Sequence, residues 1–336
     1  MKIKFAVLMI LLMSSISGLA QSTPEAAPLK NSPALLPGNG LKQHAFLYCG
    51  EWNYVSPEQT IWLIRDGKPV WSHSIPYHVQ FNGNEDFEEL GDCSLLADGS
   101  VAFSTRLGAT IVSADKKILW RRDTPPGTEL HSIQALPNHR VLIAENGDPL
   151  RLMIIDTKTN KVEKEIHLQA AHPDKPHGQI RRARLTPAGT FLVAHMDRGE
   201  VVEYDQTGKP IWTFATKSPW AAVRLPNGNT LITGNNFGYV HEVNPKGEIV
   251  WQLEKTDLPD YKIGCIQDVV RLKNGDTLFS NWIPNDVKNA SDWPGTAQWI
   301  EVSPGKKVVW ALRQWSNPNL GPGTGIQVLD ETAPEK

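Results

Sequence analysis

Polar side chains that could transfer protons or bind anions occur at matching positions of a repeated pattern along this chain. Imidazole titrates near neutral pH, and Arg can bind a carboxylate or sulfate through two parallel hydrogen bonds. At these positions the residue type differs from one repeat to the next, as expected where a site is built on a repeated scaffold. Four of these residues are candidate catalytic groups: His131, His195, Arg182 and Asp268.

A second set of residues at equivalent positions is predicted to bind a ligand. Acids, guanidinium groups and indoles together suit a polar ligand, including an anionic one, and an indole offers a flat apolar surface to a sugar ring. A structural role stays open for each residue, since a His or Arg at a strand end commonly makes hydrogen bonds within the fold. These candidates are Glu51, Asp92, Arg106, Glu145, Arg181, Trp220, Asn235, Gln267 and Trp282.

The repeated pattern consists of short strands separated by tight turns. Residues 225–253 show it best, with strands rich in β-branched and aromatic residues between turns of Asn, Gly and Pro. The first turn recurs at residues 97–99, 137–139, 187–189, 226–228 and 273–275. A later turn ends in Trp in five of six repeats, while the third repeat has Lys164 there; the five are Trp71, Trp120, Trp212, Trp251 and Trp310.

A four-stranded antiparallel unit repeated six times predicts an all-β, six-bladed β-propeller. The first repeat lacks a strand, and residues 325–330 form a strand with no repeat after it. We therefore expect the C-terminal strand to complete the N-terminal blade, so that residues 41–336 form one closed domain. Two long loops, residues 168–178 and 281–297, should lie on one face and are places where function is commonly found.

The mouth of the channel on that face is the expected ligand site. We expect it to be lined by the start of each inner strand and the end of each second strand. Counting back five residues from the Leu that closes each inner strand gives one residue per blade: Gly91, His131, Ile180, Trp220, Gln267 and Thr324.

The spacing in YDQTGKPIW, residues 204–212, resembles the tryptophan-docking repeat of quinoprotein-type, PQQ-like propellers. The run LPNGNTLI, residues 225–232, is also similar to repeats of aryl-sulfotransferase-like propellers. The resemblance covers residues 44–330 and implies that each repeat Trp packs between neighbouring blades. Large quinoprotein dehydrogenases have eight blades, and this chain matches neither that number nor their cofactor site. We therefore expect no cofactor, and a quinone-dependent oxidoreductase is disfavoured.

Composition and the N-terminus bear on location and partners. The net charge of −2 predicts no nucleic-acid partner. Residues 1–20 are typical of a signal peptide and residues 21–40 of a flexible lead-in, and no later stretch is predicted to span a membrane. A periplasmic or secreted protein is expected. The pairing of Cys49, Cys93 and Cys265 stays open, and no metal site is predicted, because His172 and His177 lie in a Pro-rich loop without further ligands.

Three functions fit these observations. The first is binding of, and action on, a small polar ligand such as an acidic saccharide at the channel mouth. The second is a protein-interaction scaffold with a partner in the cell envelope. The third is a lyase or hydrolase that uses His131 or His195. The sequence does not separate binding from catalysis.

Overall fold

The structure of the protein is a computed structural model that describes residues 32–52 and 55–330. These residues form six four-stranded antiparallel sheets, the blades, arranged as a propeller. The fold class predicted from the repeats is therefore confirmed. Within the described residues, no helix is both long enough and apolar enough to cross a membrane.

The strands run in chain order from the centre of each blade to its rim, except in blade one. Blade one contains β1 (Phe46–Gly50), β2 (Glu58–Arg65), β3 (Lys68–Pro76) and the last strand, β26 (Gly323–Val328). A hairpin follows, of β4 (His78–Phe81) and β5 (Asn84–Phe87). Blade two contains β6 (Leu90–Leu95), β7 (Val101–Thr105), β8 (Gly108–Val112) and β9 (Ile118–Asp123). Blade three contains β10 (Glu129–Leu136), β11 (Arg140–Asn146), β12 (Leu150–Asp156) and β13 (Lys161–Leu168).

The other three blades repeat this order. Blade four contains β14 (Ile180–Leu185), β15 (Phe191–His195), β16 (Glu200–Tyr204) and β17 (Pro210–Ala215). Blade five contains β18 (Pro219–Arg224), β19 (Thr230–Gly234), β20 (Val240–Val243) and β21 (Ile249–Leu253). Blade six contains β22 (Val269–Arg271), β23 (Thr277–Ser280), β24 (Trp299–Val302) and β25 (Val308–Leu312). Short 3-10 helices lie at Gly40–Lys42, Pro176–Gly178, Lys255–Asp257 and Ala290–Gly295.

The ring closes as the sequence predicts. Strand β26 pairs antiparallel with β1 and becomes the inner strand of blade one, with Phe46 opposite Val328 and Leu47 opposite Gln327. The closure gives the inner edge of blade one a partner, which an open ring would leave unpaired. Apolar clusters lie between consecutive blades around the ring, such as the one that joins Phe46 and Ile326 of blade one to Trp299 and Trp310 of blade six.

A β-bulge interrupts the pairing of the inner strand in five blades, near the start of that strand. The register shifts between Leu90 and Asp92, Leu130 and Ser132, Ile180 and Arg182, and Pro219 and Ala222. In blade one the shift leaves Thr324 as the extra residue. A bulge inserts one residue and re-aims its side chain, so the same place in several blades projects a side chain towards the channel mouth.

Four of the repeat Trp side chains connect their blade to the segment that follows in the ring. The indole N–H of Trp71 donates to the carbonyl of Ala114 (2.8 Å), and that of Trp251 to the carbonyl of Pro304 (2.8 Å). Trp120 donates to the side chain of Asn160 (3.0 Å), and Trp310 to the carbonyl of Gly40 (3.0 Å). Trp120 and Trp310 are buried, whereas Trp71, Trp212 and Trp251 are only partly buried.

Four features differ from the sequence-based expectations or lie beyond them. The β4–β5 hairpin between blades one and two was not predicted. Residues 32–40, placed in the flexible lead-in, lie against blade six, where Arg313 donates to the carbonyls of Pro33 (2.9 Å) and Ala34 (2.8 Å). The predicted signal peptide, residues 1–20, lies outside the described residues. Cys49, Cys93 and Cys265 are free and buried.

Candidate functional site

A cavity of about 270 Å³ lies at the mouth of the central channel, and we call it the mouth cavity. Its wall is built largely from the bulge positions of the inner strands, which contribute Gly91, His131, Arg181, Trp220 and Thr324, with Gln267 at the matching place in blade six. The ends of the second strands add Glu51, Met196, Asn235 and Trp282, and loops add Glu89, His177 and Asn285.

The structure brings together many of the predicted site residues in this cavity: Glu51, His131, Arg181, Trp220, Asn235, Gln267 and Trp282. Counting back five residues from the closing Leu is off by one residue in blade four. That blade closes its inner strand at Thr186, whose N–H and carbonyl flank the turn, so Arg181, and not Ile180, occupies the bulge. Gly91 is required in blade two, because a Cβ atom there would lie 2.4 Å from the carbonyl oxygen of His131.

Arg181 is the cation of the mouth cavity. Arg181 is only 4% exposed, and its guanidinium carbon lies 4.5 Å from the ring centre of Trp220. Nη1 donates to Nδ1 of His131 (3.2 Å), and Nε is buried without a hydrogen-bond partner. Among the described residues, no carboxylate lies within ion-pairing distance of it. Burial lowers the pKa of this guanidinium, while the charges of Glu89, Glu129 and Glu51 oppose the change.

Glu129 lies beside Arg181 and accepts hydrogen bonds on both carboxylate oxygens. Arg106 Nη1 donates to Oε1 (3.1 Å), while His131 Nε2 and His177 Nδ1 each lie 3.0 Å from Oε2. Burial acts to raise the pKa of Glu129, but the hydrogen bonds from the two imidazoles outweigh burial and hold the pKa below its usual range. Glu129 is therefore a carboxylate at neutral pH.

Arg106 does not line the mouth cavity, and it holds Glu129 by a hydrogen bond from outside the cavity. The hairpin that the sequence did not predict holds its guanidinium: the Asp86 carboxylate pairs with it, and the carbonyl of Phe87 accepts from Nε (3.2 Å). The ring centre of Phe87 lies 4.0 Å from the guanidinium carbon. The hairpin thus holds the residue that orients Glu129.

His177 reaches the cavity from the long loop between blades three and four. It sits in the Pro176–Gly178 turn, which two buried amides fix to the blades. The Asn146 amide donates to the carbonyls of Pro176 (2.9 Å) and Ile180 (3.0 Å). Gln179 accepts from the N–H of Gly147 (2.8 Å). The loop is therefore anchored on both sides of the imidazole.

Arg182 lies deeper in the channel, in a second cavity of about 250 Å³ further along the inner strands. It pairs with Asp92 of blade two, approaches Asp268 of blade six (3.8 Å), and donates to the carbonyl of Thr324 in blade one (3.2 Å). Arg184 also pairs with Asp92 (2.8 Å). Arg182, Asp92 and Asp268, predicted at the mouth, are thus placed together away from it, where they join blades one, two, four and six across the channel.

Two more predicted residues lie outside the mouth cavity. His195 is fully buried, with Nε2 2.9 Å from the hydroxyl of Tyr204, and burial and the charge of Arg198 lower its pKa to about 3. Glu145 accepts from Arg151 Nη1 (2.8 Å) and is 2% exposed. Both are held by partners inside their own blades.

Glu129, His177 and Glu89 were missed by the sequence analysis. Glu129 begins an inner strand two residues before the bulge position held by His131, and Glu89 directly precedes the inner strand of blade two. His177 was assigned to a solvated loop, although the length of that loop was a signal of function. Among residues 32–52 and 55–330, one group could hold a metal ion: the ligand atoms of Glu129, His131 and His177 all lie within 4.8 Å of one another.

The family model described as outer membrane protein assembly factor BamB, of the PQQ-like type, matches residues 108–281, slightly more than half of the sequence. The chain belongs to this family. The PQQ-like resemblance read from the repeat Trp spacing is thus confirmed. No curated protein matches the sequence.

Several solved structures share the propeller of this BamB-family chain. A protein of unknown function from Bacteroides caccae is 21% identical, covers 84% of this chain and 98% of its own, and gives a TM-score of 0.70. A catalytically inactive virginiamycin B lyase from Staphylococcus aureus, solved with quinupristin, is 13% identical over 84% and 90% of the two chains, with a TM-score of 0.52. A streptogramin B lyase is 12% identical over 81% and 89%, with a TM-score of 0.51. These identities show a shared fold and no more.

Proposed function

We propose that this protein binds a small polar ligand with an anionic group in the mouth cavity, with Arg181 as the anchor for the anion. The observation that carries the proposal is the state of Arg181, a guanidinium that is 4% exposed and has no carboxylate partner among the described residues. Burying a cation without an ion partner is unfavourable, so such a residue usually has a ligand or a functional reason. A carboxylate or sulfate can satisfy a guanidinium through parallel hydrogen bonds.

The rest of the wall suits a ligand with many hydroxyl groups. Glu51 and Glu89 offer carboxylate acceptors, and Gln267, Asn235 and Asn285 offer amides that both donate and accept. The indoles of Trp220 and Trp282 add flat apolar surfaces beside these polar groups. An acidic saccharide, such as a uronic-acid oligosaccharide, combines the carboxylate, the hydroxyl groups and the apolar ring faces, and it is the ligand class that we propose.

A titration of oligosaccharides into the protein tests this proposal. We expect oligogalacturonate to bind with heat release and to raise the melting temperature, and neutral oligosaccharides of equal length to bind more weakly. Arg181→Gln should lose at least about tenfold in affinity, since hydrogen bonds to charged groups contribute about 1.5–3 kcal/mol. Arg184→Gln is the matched control, because Arg184 lies on the same inner strand but lines the second cavity. Equal affinity of wild type and Arg181→Gln, or no binding to wild type, would refute the proposal.

A second candidate function is a protein-interaction scaffold of the cell envelope. Family membership supports it, and so do exposed apolar side chains on the outer strands of several blades. Each stands one or two residues before a repeat Trp, and they are Val70, Ile118, Leu119, Ile211, Ile249 and Val250. Exposed outer strands with apolar side chains can pair with or pack against another protein. We propose a periplasmic or secreted location for either function.

Site-specific photo-crosslinking distinguishes the scaffold function. A crosslinker at Leu119 or Ile211 should capture one envelope protein in the native cell, whereas one at the exposed Lys117 should not. Equal labelling at all three positions would mean that the rim is not a docking surface. The same variants should bind oligogalacturonate like wild type, because none of these residues lines the mouth cavity.

A further inference from the structure

The hydrogen bonds around Glu129 determine which nitrogen of each neighbouring imidazole carries the proton. Arg181 can only donate, so Nδ1 of His131 (3.2 Å away) accepts, and the proton of the neutral ring is on Nε2. Nε2 then donates to the Glu129 carboxylate (3.0 Å). Burial and the charge of Arg181 lower the pKa of His131 to about 3. Both nitrogens of His131 are engaged, and the ring stays neutral.

His177 has the opposite arrangement. Its Nδ1 lies 3.0 Å from the same carboxylate oxygen of Glu129, so Nδ1 carries the proton and donates it. In the neutral ring the lone pair is therefore on Nε2. The side chain is 53% exposed and forms part of the wall of the mouth cavity. A carboxylate that fixes one nitrogen of an imidazole and leaves the other free is the arrangement of a general base.

The same three residues meet the spacing of a metal site. The positions of the protons on their imidazole rings, however, fit proton transfer better than metal binding. A metal on Nε2 of His131 would move the ring proton to Nδ1, where it would face the N–H of Arg181. Metal-binding His residues normally donate the other N–H to an acceptor, and here the neighbour is a donor. Arg106 and Arg181 also place two cations next to Glu129 and His131.

We propose that His177, oriented by Glu129, is a general base that removes a proton from the carbon next to a carboxylate held by Arg181. This inference rests on the proposed function. His177 takes the place of His131 and His195 as the candidate base. Both rings have other roles: His131 orients Glu129, and His195 is buried against Tyr204.

The reaction class is elimination from a uronate-type substrate. Nε2 of His177 takes the proton, and the electron pair of the broken C–H bond moves into the carboxylate, whose added charge Arg181 stabilises. That pair then forms a carbon–carbon double bond as the bond from the next carbon to its oxygen substituent breaks. The departing oxygen takes a proton, either back from His177 or from water. Atoms and electrons balance without an oxidant, a reductant or a further reactant.

Oligogalacturonate is the probe, with binding and turnover measured separately. In D₂O, wild type should exchange the proton next to the carboxylate, and it should form a product that absorbs through the new conjugated double bond. His177→Gln should bind within about threefold of wild type but lose at least about 100-fold in rate, the usual contribution of a general base. His172→Gln is the matched control, because His172 lies in the same loop, is exposed and does not line the cavity. Binding by wild type with neither exchange nor product would overturn the base and leave the binding proposal intact.

A second measurement needs no ligand. Diethyl pyrocarbonate modifies imidazole nitrogens that have a free lone pair, and peptide mass spectrometry locates the modified ring. His177 should react faster than His172 and His131. Glu129→Gln should slow the reaction at His177 at least about threefold, because the carboxylate can only accept a hydrogen bond and so holds the proton on Nδ1 and the lone pair on Nε2. Equal rates at His177 and His172, unchanged by Glu129→Gln, would overturn the Glu129–His177 pair. If oligogalacturonate does not bind to wild type, the ligand class fails, and this measurement alone decides on the pair.

Discussion

Replacing Arg182 with Met is expected to destabilise the propeller by about 3–5 kcal/mol, the usual result of removing one partner from a buried ion pair. Arg182 is 2% exposed and links blades one, two, four and six through Thr324, Asp92 and Asp268. Met keeps most of the apolar stem, so the loss is mainly electrostatic. Without Arg182, Asp92 keeps Arg184 at 2.8 Å, whereas Asp268 keeps only backbone donors, from Val269 (2.9 Å) and Ile326 (3.2 Å).

The destabilisation caused by Arg182→Met should depend on pH. Burial acts to raise the pKa of Asp92, but Arg182 and Arg184 hold it below its usual value, so its contribution to stability is lost as pH falls. Burial raises the pKa of Asp268 even with Arg182 present. Without Arg182, both carboxyl groups should protonate at higher pH, and protonation removes the unpaired charge. The loss of stability should therefore shrink between about pH 7 and about pH 4, the range over which carboxyl groups take up protons.

Urea unfolding followed by Trp fluorescence measures both effects. Arg184→Met is the control and should cost only about 1 kcal/mol, because Arg184 is a quarter exposed and pairs with Asp92 alone. Arg182→Met combined with Asp268→Asn should recover part of the loss, since the second change removes the unpaired charge. A loss below about 1 kcal/mol, typical of a surface substitution, would refute the role given to Arg182. So would a loss that does not change with pH.

Three further predictions concern the ring and its buried groups. Truncation after Pro322 removes β26 and should abolish cooperative unfolding seen by calorimetry, whereas truncation after Asp330 should not; identical melting curves would contradict the closure. Trp310→Ala should lose about 3–5 kcal/mol and Trp251→Ala clearly less, because only Trp310 is fully buried; equal shifts in urea midpoint would contradict this. The pKa of His195 is lowered to about 3 from 6.5, so the unfolded chain takes up the proton first, and stability falls as pH falls between these values. His195→Asn should reduce this dependence of the unfolding free energy on pH, measured by urea titrations. An unchanged dependence would argue against a buried neutral imidazole.

The sequence predicts the blades well because each one repeats the same local signals. Turn residues and β-branched strands are local properties, and the later turn, which recurs in six repeats and ends in Trp in five of them, gives the number of blades. The closing strand follows from counting strands, since one blade lacks a strand and the chain ends with one to spare. The β4–β5 hairpin breaks the period of the repeat, and periodicity therefore gives no sign of it.

The mouth cavity is predicted in part, for a physical reason. The bulge occurs at one place in the repeat, so counting along the chain finds His131, Trp220, Gln267 and Thr324. The count misplaces Arg181 by one residue, because blade four closes at Thr186 instead of Leu185. Periodicity cannot tell whether an Arg at the channel finds an acid across the ring. That depends on contacts between distant blades, which separate Arg182, paired with Asp92, from Arg181, which has no acidic partner among the described residues.

Counting residues along the repeat cannot locate Glu129 and His177. Their position depends on a turn anchored by Asn146 and on Arg106, which the hairpin holds. These contacts join segments far apart in the chain, and no repeat encodes them.

A crystal structure of the protein with oligogalacturonate tests most directly whether Arg181 anchors an anion at the channel mouth. We predict a carboxylate of the sugar within hydrogen-bonding distance of the Arg181 guanidinium, and the Nε2 of His177 facing the carbon next to that carboxylate. A sugar bound at another surface at a concentration that saturates the protein in calorimetry would contradict the claim. So would an empty mouth cavity in which Arg181 pairs with a carboxylate of the protein.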